Sequence, residues 1–287
     1  MPADQVPLNI DQIEAIVLDC QSFAQLEKHT VSDRNIWSLT DAHGNSFYIH
    51  NNARRIFEII TLLNMCDRSG CRSANGERPM LLEVGINYGE VVLSVVKAFP
   101  LFEVCGLEHP DREFLKDDSY LARMRDAGIK LITSDMDNGM LPFSDSMFDV
   151  VLFCEVLEHL SPIKVPQIIA ELSRIVKPNG AVIITSPNLV SFLNRLVFLK
   201  GSSIFTPAIP LHYAGGTFGH IRLYTVQELE GIASRSGLYM KHVRYNNALL
   251  INGSEIRLHT IIVKKLQIIL SPFFPSLSNG WSVLFSK

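Results

Sequence analysis

The chain has 287 residues, of which 47% are hydrophobic and 19% are charged, and its formal net charge is −3. This hydrophobic content is enough for a packed core, which excludes disorder as the state of the whole chain. The small negative charge argues against nucleic-acid binding by overall positive charge, so a nucleic-acid partner is not expected. The most apolar stretch, residues 260–275, is interrupted by Lys264 and Lys265, so no transmembrane segment is predicted either.

The start of the chain and the cysteines restrict the compartment. Residues 1–20 contain acidic side chains and no basic leader, which is atypical of a secretory signal, and a cytoplasmic location is expected. The five cysteines are irregularly spaced and form no CxxC motif, so neither a disulfide framework nor a zinc site is predicted.

Residues 1–77 are predicted to form an N-terminal extension that contains helices and one hairpin. Apolar residues at helical spacing predict helices over residues 8–28 and 52–66. Between them, the turn-rich residues 41–45 separate two strand-like runs, Ile36–Leu39 and Ser46–His50, which predicts the hairpin. The polar segment Arg68–Pro79 is expected to connect this extension to the main domain.

From Met80 onward, predicted strands alternate with predicted helices. The helices are expected at Glu90–Ala98, Arg112–Ala127, Ser161–Val176 and Val226–Ser236. The strands are expected at Met80–Val84, Phe102–Leu107, Lys130–Thr133, Phe148–Cys154, Ala181–Thr185, Tyr239–Tyr245 and Trp281–Phe285. This alternation predicts an α/β fold over residues 78–287, a doubly wound, Rossmann-like and mostly parallel seven-stranded sheet with helices on both faces.

Two long segments interrupt this alternation. Residues 188–219 mix apolar and basic side chains with glycines and prolines, and we interpret them as a lid-like insertion over a pocket, with a structural cap as the alternative. Residues 248–278 form a second insertion with a partly amphipathic pattern. A helix that packs on the core or in a homodimer is the favoured interpretation, and contact with a hydrophobic or lipid-linked molecule is the alternative.

Polar residues follow the predicted strands at the edge where ligands bind in such sheets. The first strand leads into Glu83-Val-Gly85-Ile-Asn87-Tyr-Gly89-Glu90, a glycine turn that lets backbone approach a ligand closely. It departs from the G-x-G-x-x-G dinucleotide pattern at Asn87 and Glu90. Glu108 after the second strand could accept both ribose hydroxyls, and Asp135 and Glu155 follow the third and fourth strands. Such an acidic rim suits an electropositive cofactor.

The runs LLEVGINYGE, CGLE, ITSD, LPFSDSMFDVVLFCEVLEHL and IVKPNGAVIITSPN resemble the class I S-adenosylmethionine-dependent methyltransferases over about residues 78–245. The resemblance implies S-adenosyl-L-methionine as the cofactor. It also assigns the methionine portion to the glycine loop, the ribose to the acid after the second strand and the adenine to the residues after the third. The implied cofactor-binding residues are Glu83, Gly85, Asn87, Gly89, Glu108, Asp135, Met136 and Glu155. Asn87 replaces the usual middle glycine, and Asp137 could take the place of Asp135.

The run Glu155-Val-Leu-Glu158-His159 could hold a metal ion. If it is helical, the two carboxylates and the imidazole share one face, and with His220 or His212 they could bind Mg²⁺ or Mn²⁺. This run resembles the metal-using ubiquinone-biosynthesis O-methyltransferases and small-RNA 2′-O-methyltransferases. The alternative is a metal-free site in which the acids favour a helix N-terminus and the histidine lines the substrate pocket.

The sequence therefore predicts a methyltransferase that acts on a hydroxyl oxygen of a small-molecule, sugar or lipid-like acceptor. His159 is the predicted catalytic residue, because a neutral histidine can accept the hydroxyl proton near pH 7. Two alternatives remain open at this stage, an RNA 2′-O-methyltransferase and a non-catalytic protein that binds S-adenosylmethionine.

Overall fold

Seven strands form one sheet with helices on both faces. A computed structural model describes residues 8–28, 47–68, 78–136, 139–205, 209–210, 217–218, 220–247 and 265–287. The strands of the sheet are β1 (Met80–Val84), β2 (Glu103–Glu108), β3 (Lys130–Thr133), β4 (Phe148–Cys154), β5 (Val176–Pro187), β8 (Tyr239–Asn246) and β9 (Gly280–Ser286). Two short strands, β6 (Ile209–Pro210) and β7 (Thr217–Phe218), pair separately. The helices are α1 (Ile10–Lys28), α2 (Phe47–Arg68), α3 (Glu90–Ala98), α4 (Asp118–Asp126), α5 (Val165–Ile175), α6 (Phe192–Leu199) and α7 (Val226–Arg235).

The strand order is β3-β2-β1-β4-β5-β9-β8. The first five strands are parallel, and β9 runs antiparallel to both of its neighbours, β5 and β8. The predicted fold class is therefore confirmed. Because β3, β2, β1 and β4 are parallel neighbours, their carboxyl ends lie at one edge of the sheet, and the predicted cofactor residues lie at or just after these ends.

The sheet separates two apolar clusters. One contains β1 residue Leu81 with side chains from α1, α2 and α3, and the other contains Leu82 and Val84 with side chains from α5 and α7. All seven residues of β4 are buried, as expected for a central parallel strand whose two faces are both covered. The apolar run Phe148–Cys154 was therefore a reliable strand signal.

Two helix boundaries differ from the prediction, and a capping residue inside the apolar pattern explains one of them. The segment predicted as one helix over Arg112–Ala127 divides at Asp117, whose side chain accepts hydrogen bonds from the backbone N–H groups of Ser119 and Tyr120. A short 3-10 turn, Glu113–Lys116, precedes this cap. The helix predicted to start near Ser161 begins at Val165.

The prediction of a second hairpin strand is wrong. Residues Phe47–His50 are the first turn of α2 rather than a strand, and Ile36–Leu39 lies outside the described residues. The downstream residues Ala53, Ile56, Ile60 and Leu63 are buried at helical spacing, against a cluster that includes α1. Because this apolar stripe packs on the cluster, the helix extends back over Phe47–His50, although residues such as Phe, Tyr and Ile individually prefer strands.

The described parts of both insertions lie beside the end of β5. Asn188 follows β5 and is buried, and its side-chain amide donates to the backbone oxygens of Ser276 and Ser278 at 2.8 Å each. Its own backbone oxygen accepts from the Asn194 amide of α6 at 3.0 Å. Residues 265–270 are helical, whereas 248–264 lie outside the described residues. In the part of the chain described, no helix is both long enough and apolar enough to cross a membrane.

Candidate active site

The loop between β1 and α3 is a glycine turn in an unusual backbone conformation. Gly85, Asn87 and Gly89 have φ values of 78°, 48° and 88°, so the backbone enters the left-handed region three times in five residues. Asparagine tolerates this region better than most side chains do, which explains how Asn87 replaces a glycine. Its side-chain oxygen accepts from Arg112 and its backbone oxygen accepts from the Tyr120 hydroxyl, both at 2.9 Å.

Glu108, the last residue of β2, connects this loop to its neighbouring strand. Its Oε2 accepts from the backbone N–H of Asn87 at 2.7 Å, and its Oε1 accepts from the backbone N–H of His109 at 2.8 Å. The side chain is nearly buried, and each carboxylate oxygen keeps a further lone pair for an additional donor. The carboxylate is therefore fixed in position and remains able to accept from hydroxyl groups.

The residues after β3 lie beside the same edge. Asp135 Oδ1 is 3.7 Å from His109 Nε2, and both side chains are about one-third exposed. Met136 is partly buried against the cluster that contains Val84 and Phe153. The sequence alternative Asp137 lies outside the described residues.

Beneath the glycine loop, Glu83 carries an ionisable group into the core. Burial raises the pKa of its carboxyl well above the usual range; Arg55 opposes this, and Glu90 and Glu108 reinforce it. The backbone N–H of Val92 in α3 donates to the carboxylate, which joins β1 to the helix after the loop. Glu83 thus lies below the loop and supports its position.

Arg55 of α2 is a candidate site residue that sequence reasoning missed. Its Nη1 is 3.5 Å from Glu155 Oε2, and its charge also lowers the pKa of Glu83 and Glu158. Its Nε is buried without a hydrogen-bond partner in the described part of the chain. Arg55 follows Arg54 in the polar run NNARR, and nothing in the local sequence indicates that Arg54 is exposed whereas Arg55 points into the fold. The N-terminal extension therefore contributes a cation to this edge of the sheet.

Removal of this cation should destabilise the protein. We expect Arg55→Met to lower the free energy of unfolding by about 3 kcal/mol, because the largely buried carboxylate of Glu155 loses its ion-pair partner. Arg54→Met, on the exposed side of the same helix, is the matched control and should change stability by less than about 0.5 kcal/mol. Chemical denaturation of both variants measures this, and equal effects would contradict a specific role for Arg55.

Glu155 stands directly after β4 with φ of 56°. Cys154 pairs with Thr185 in the β4–β5 ladder, so Glu155 emerges beside that residue. Its backbone N–H donates to the Thr185 carbonyl at 3.0 Å, and its Oε1 accepts from the Thr185 hydroxyl at 2.8 Å. These contacts direct Glu155 towards Arg55 and away from the next two charged residues of the run.

Glu158, His159 and His220 form a separate group whose candidate ligand atoms all lie within 4.8 Å of one another. Glu158 is buried; its Oε2 accepts from the Ser186 hydroxyl at 3.0 Å, and its Oε1 has no hydrogen-bond partner among the described residues. His220 Nε2 is 4.0 Å from that Oε1, and the two imidazole rings are 5.2 Å apart. The group combines an exposed imidazole, a half-buried imidazole and a buried carboxylate.

Backbone geometry explains why Glu155 is not part of this group. The residues after β4 form a 3-10 turn, Leu157–His159, rather than the α-helix that would align Glu155 with Glu158. The backbone oxygen of Glu158 accepts from Ile221 at 2.8 Å, which brings the neighbouring His220 to the group. The structure thus brings together three of the four residues predicted to bind metal, while His212 lies outside the described residues.

Burial shifts two of these groups in opposite directions. It raises the pKa of Glu158 to about 7, although hydrogen bonds and Arg55 partly oppose the shift. It lowers the pKa of His220 to about 4, and the nearby His159 adds to this effect. Both shifts favour the neutral forms, because burial removes water from the charged forms.

Comparisons with known proteins agree with this geometry. Residues 82–184 match the family model described as a methyltransferase domain. The chain is 25% identical over 129 residues to tRNA N(3)-cytidine methyltransferase METTL2 from Gallus gallus, a match that covers 45% of this chain and 34% of the relative. The matched segment thus spans about a third of the length of that curated relative.

Two solved structures show the same fold at low sequence identity. A proposed sarcosine dimethylglycine methyltransferase from Galdieria sulphuraria has a TM-score of 0.53 and 14% identity, with 96% of this chain and 98% of that chain covered. A proposed methyltransferase solved in complex with the Trm112 methyltransferase activator from Haloferax volcanii has a TM-score of 0.51 and 13% identity, with coverages of 84% and 94%.

The parallel sheet with one antiparallel strand, together with the glycine loop and the acid after β2, defines the Rossmann-like class I methyltransferase fold. The family match lies on this core, from the middle of β1 to the middle of β5. The match to a methyltransferase domain over residues 82–184 and the shared fold together support a class I S-adenosylmethionine-dependent methyltransferase, a family whose cofactor is S-adenosyl-L-methionine.

Proposed function

We propose that this chain transfers the methyl group of S-adenosylmethionine to a hydroxyl oxygen of a small-molecule, sugar or lipid-like acceptor. The observation that carries the proposal is the group of Glu158, His159 and His220 at the sheet edge that also bears the glycine loop. A hydroxyl acceptor must lose a proton during transfer, and this group contains an exposed imidazole suited to accept it.

The described residues fit the cofactor. A Cβ on Gly85 would lie 2.6 Å from Val156 Cγ2, so a larger residue cannot occupy this position of the glycine loop without displacement. Glu108 is assigned to the ribose hydroxyls, Asp135 with Met136 to the adenine, and Glu83, Asn87 and Gly89 to the loop around the methionine portion. Glu155 completes the acidic rim that suits a sulfonium cation. When bound, S-adenosylmethionine supplies a methyl group on a positively charged sulfur.

Arg55 is the residue that we assign to the methionine carboxylate of the cofactor. Its Nε is a buried donor without a partner among the described residues, and its guanidinium can bind a carboxylate through two parallel hydrogen bonds. Glu155, at 3.5 Å, would then share the guanidinium with the ligand.

Gly85→Ala is expected to weaken S-adenosylmethionine binding by at least about tenfold, because the loop requires a positive φ that alanine adopts at a cost. The contact with Val156 adds to this cost. Isothermal titration calorimetry measures the affinity, and thermal unfolding checks that the fold is retained. Adding Val156→Ala should recover only part of the loss, since it creates space without changing φ. Full recovery would show that the backbone conformation is not required.

The residues of the chain promote the reaction mainly by holding the acceptor and the cofactor in the orientation that transfer requires. In-line transfer requires the acceptor oxygen opposite the sulfur, so orienting the two molecules supplies much of the rate increase. With S-adenosylmethionine bound, His159 would accept the hydroxyl proton as the acceptor oxygen takes the methyl group from the sulfur. Glu158, held by Ser186, fixes the turn that carries His159 and holds the 220–222 segment through its backbone oxygen.

The same group fits a divalent cation. Glu158 Oε1 has no partner among the described residues, and a carboxylate with two imidazoles is a suitable ligand set for Mn²⁺, and less so for Mg²⁺. Bound metal would lower the pKa of the acceptor hydroxyl. If metal is required, treatment with a chelator should remove activity and added Mg²⁺ or Mn²⁺ should restore it. Full activity after complete metal removal would leave His159 as the base without metal.

An RNA acceptor is the second candidate, favoured by the similarity to the tRNA methyltransferase from Gallus gallus. One experiment distinguishes the candidates: incubation with S-adenosylmethionine labelled in its methyl group and with separate pools of lipid extract, sugars, small phenols and bulk tRNA. Label in a hydroxyl-bearing small molecule or lipid supports the proposal, whereas label in tRNA alone contradicts it. Cofactor binding with no labelled product in any pool would favour a non-catalytic role.

A further inference from the structure

We propose that a membrane docking face lies beside the active site and binds an anionic phospholipid bilayer, so that the acceptor is a lipid-anchored molecule taken directly from that bilayer. We define this face by Leu266, Ile268, Ile269, Phe273 and Phe274, with Phe198, Leu199 and Lys200 at the end of α6. The inference rests on the proposed function, because it specifies the acceptor class of the same site.

The helical segment 265–270 and the turn after it have their polar side towards the protein. Gln267 is only 1% exposed, and its side-chain amide donates to the Leu277 backbone oxygen and the Asn279 side-chain oxygen. Ser271 is also buried and accepts from the Asn247 amide at 2.8 Å. The apolar side chains between and after them face outward, and Phe273 is 76% exposed. This is the reverse of the usual arrangement in a water-soluble helix.

Exposed apolar side chains are concentrated in residues 266–274 and at the end of α6, which indicates a surface that contacts something other than water. Five large apolar residues within nine positions, Leu266, Ile268, Ile269, Phe273 and Phe274, are all exposed. On α6, Phe198 is half-exposed and Leu199 is 83% exposed, and none of the residues of this helix is buried. Single exposed apolar residues are ordinary, whereas groups of them in neighbouring segments mark interaction surfaces.

Both segments of the face are connected to Asn188, which follows β5 at the active-site edge of the sheet. Asn188 joins them, because its amide donates to the backbone of Ser276 and Ser278 and its backbone oxygen accepts from Asn194 of α6. Asn188 is two residues from Ser186, whose hydroxyl donates to Glu158. A molecule held in a bilayer against this face would therefore present its head group close to Glu158 and His159.

Charge distribution favours an anionic bilayer. Residues 172–227 and 256–287 contain none of the 29 acidic residues of the chain. Some of their Lys and Arg residues are paired away from the face, as Arg174 is with Asp145 and Glu171. The described lysines Lys200 and Lys265 are exposed at the two segments of the face. Basic side chains beside exposed apolar ones match a surface of anionic head groups over acyl chains. A second copy of the chain would bring like charges together.

The test is flotation of the full chain with vesicles of phosphatidylcholine alone or mixed with phosphatidylglycerol. We expect binding to the mixed vesicles that weakens as salt increases. Phe273→Ser with Phe274→Ser should reduce the partition coefficient by at least about tenfold, and Lys265→Gln by about fivefold on mixed vesicles only. Leu101→Ser is the matched control, since Leu101 is also exposed but precedes β2 at the opposite edge of the sheet.

Three results would overturn the proposal. They are absence of binding to mixed vesicles, preferential binding of bulk tRNA that the Phe273 and Phe274 changes remove, and a dimer in solution that the same changes dissociate. Calorimetry with S-adenosylmethionine is performed on the same samples. If the unmodified chain does not bind the cofactor, the proposed function is refuted. If the Phe variants lose vesicle binding but keep their affinity for the cofactor, the docking face is supported independently of the proposed function.

Discussion

Glu108→Ala is expected to weaken S-adenosylmethionine binding about a hundredfold, because two charge-assisted hydrogen bonds to the ribose are lost. The change also removes the acceptor for the backbone N–H of Asn87, so the glycine loop loses the contact that joins it to β2. Calorimetry on the purified variant measures the dissociation constant, and circular dichroism checks that the sheet is intact.

Glu113→Ala provides the matched control for this experiment. Glu113 lies five residues further along the same connection, is partly exposed and pairs with Lys116, away from the glycine loop. Its removal should leave the affinity within about twofold, in keeping with the small energies of exposed ion pairs. Similar affinities for the Glu108 and Glu113 variants would rule out the ribose assignment.

His159→Ala is expected to lower kcat by about 10²–10⁴-fold while the affinity for S-adenosylmethionine stays unchanged, because the imidazole accepts a proton only during transfer. The measurement uses the acceptor identified in the labelled-cofactor screen, under saturating concentrations of both substrates. His242→Ala, on the exposed side of β8, is the control for a general effect of losing a histidine.

A second variant distinguishes a chemical role of His159 from a structural one. His159→Gln keeps a polar side chain of similar length but is a poor base, so it should be as inactive as the alanine variant if proton transfer is the role. Restoration of most of the activity by glutamine would instead indicate that the side chain only orients the acceptor.

Much of the fold could be predicted because the relevant signals are local. The continuous apolar run Phe148–Cys154 predicts a strand covered on both faces, and the described β4 has every residue buried. The strand alternation predicts parallel order, and this order brings the loop at Gly85 and the carboxylate of Glu108 together at one edge. Candidate site residues can therefore be predicted from their positions directly after strands, without knowing the distances between them.

The remaining features depend on contacts between distant segments. Arg55 acquires its role from the packing of α2 against the sheet, and the sequence offers no means to distinguish it from Arg54. The group of Glu158, His159 and His220 depends on a 3-10 turn, whereas the spacing of the run suggested an α-helix that includes Glu155. Likewise, the amphipathic pattern of the second insertion indicated an apolar side but not that this side faces outward.

The contacts at both ends of residues 189–219 have a consequence for how acceptor preference can change. Before the segment, Asn188 is fixed by the backbone of Ser276 and Ser278, and after it, Ile221 is fixed by the backbone of Glu158. Tyr224 further receives a hydrogen bond from buried Trp281 at 3.2 Å. The intervening sequence can therefore be exchanged or lengthened while His220 keeps its position. We propose that changes within residues 189–219 would alter the acceptor while leaving the group of Glu158, His159 and His220 in place.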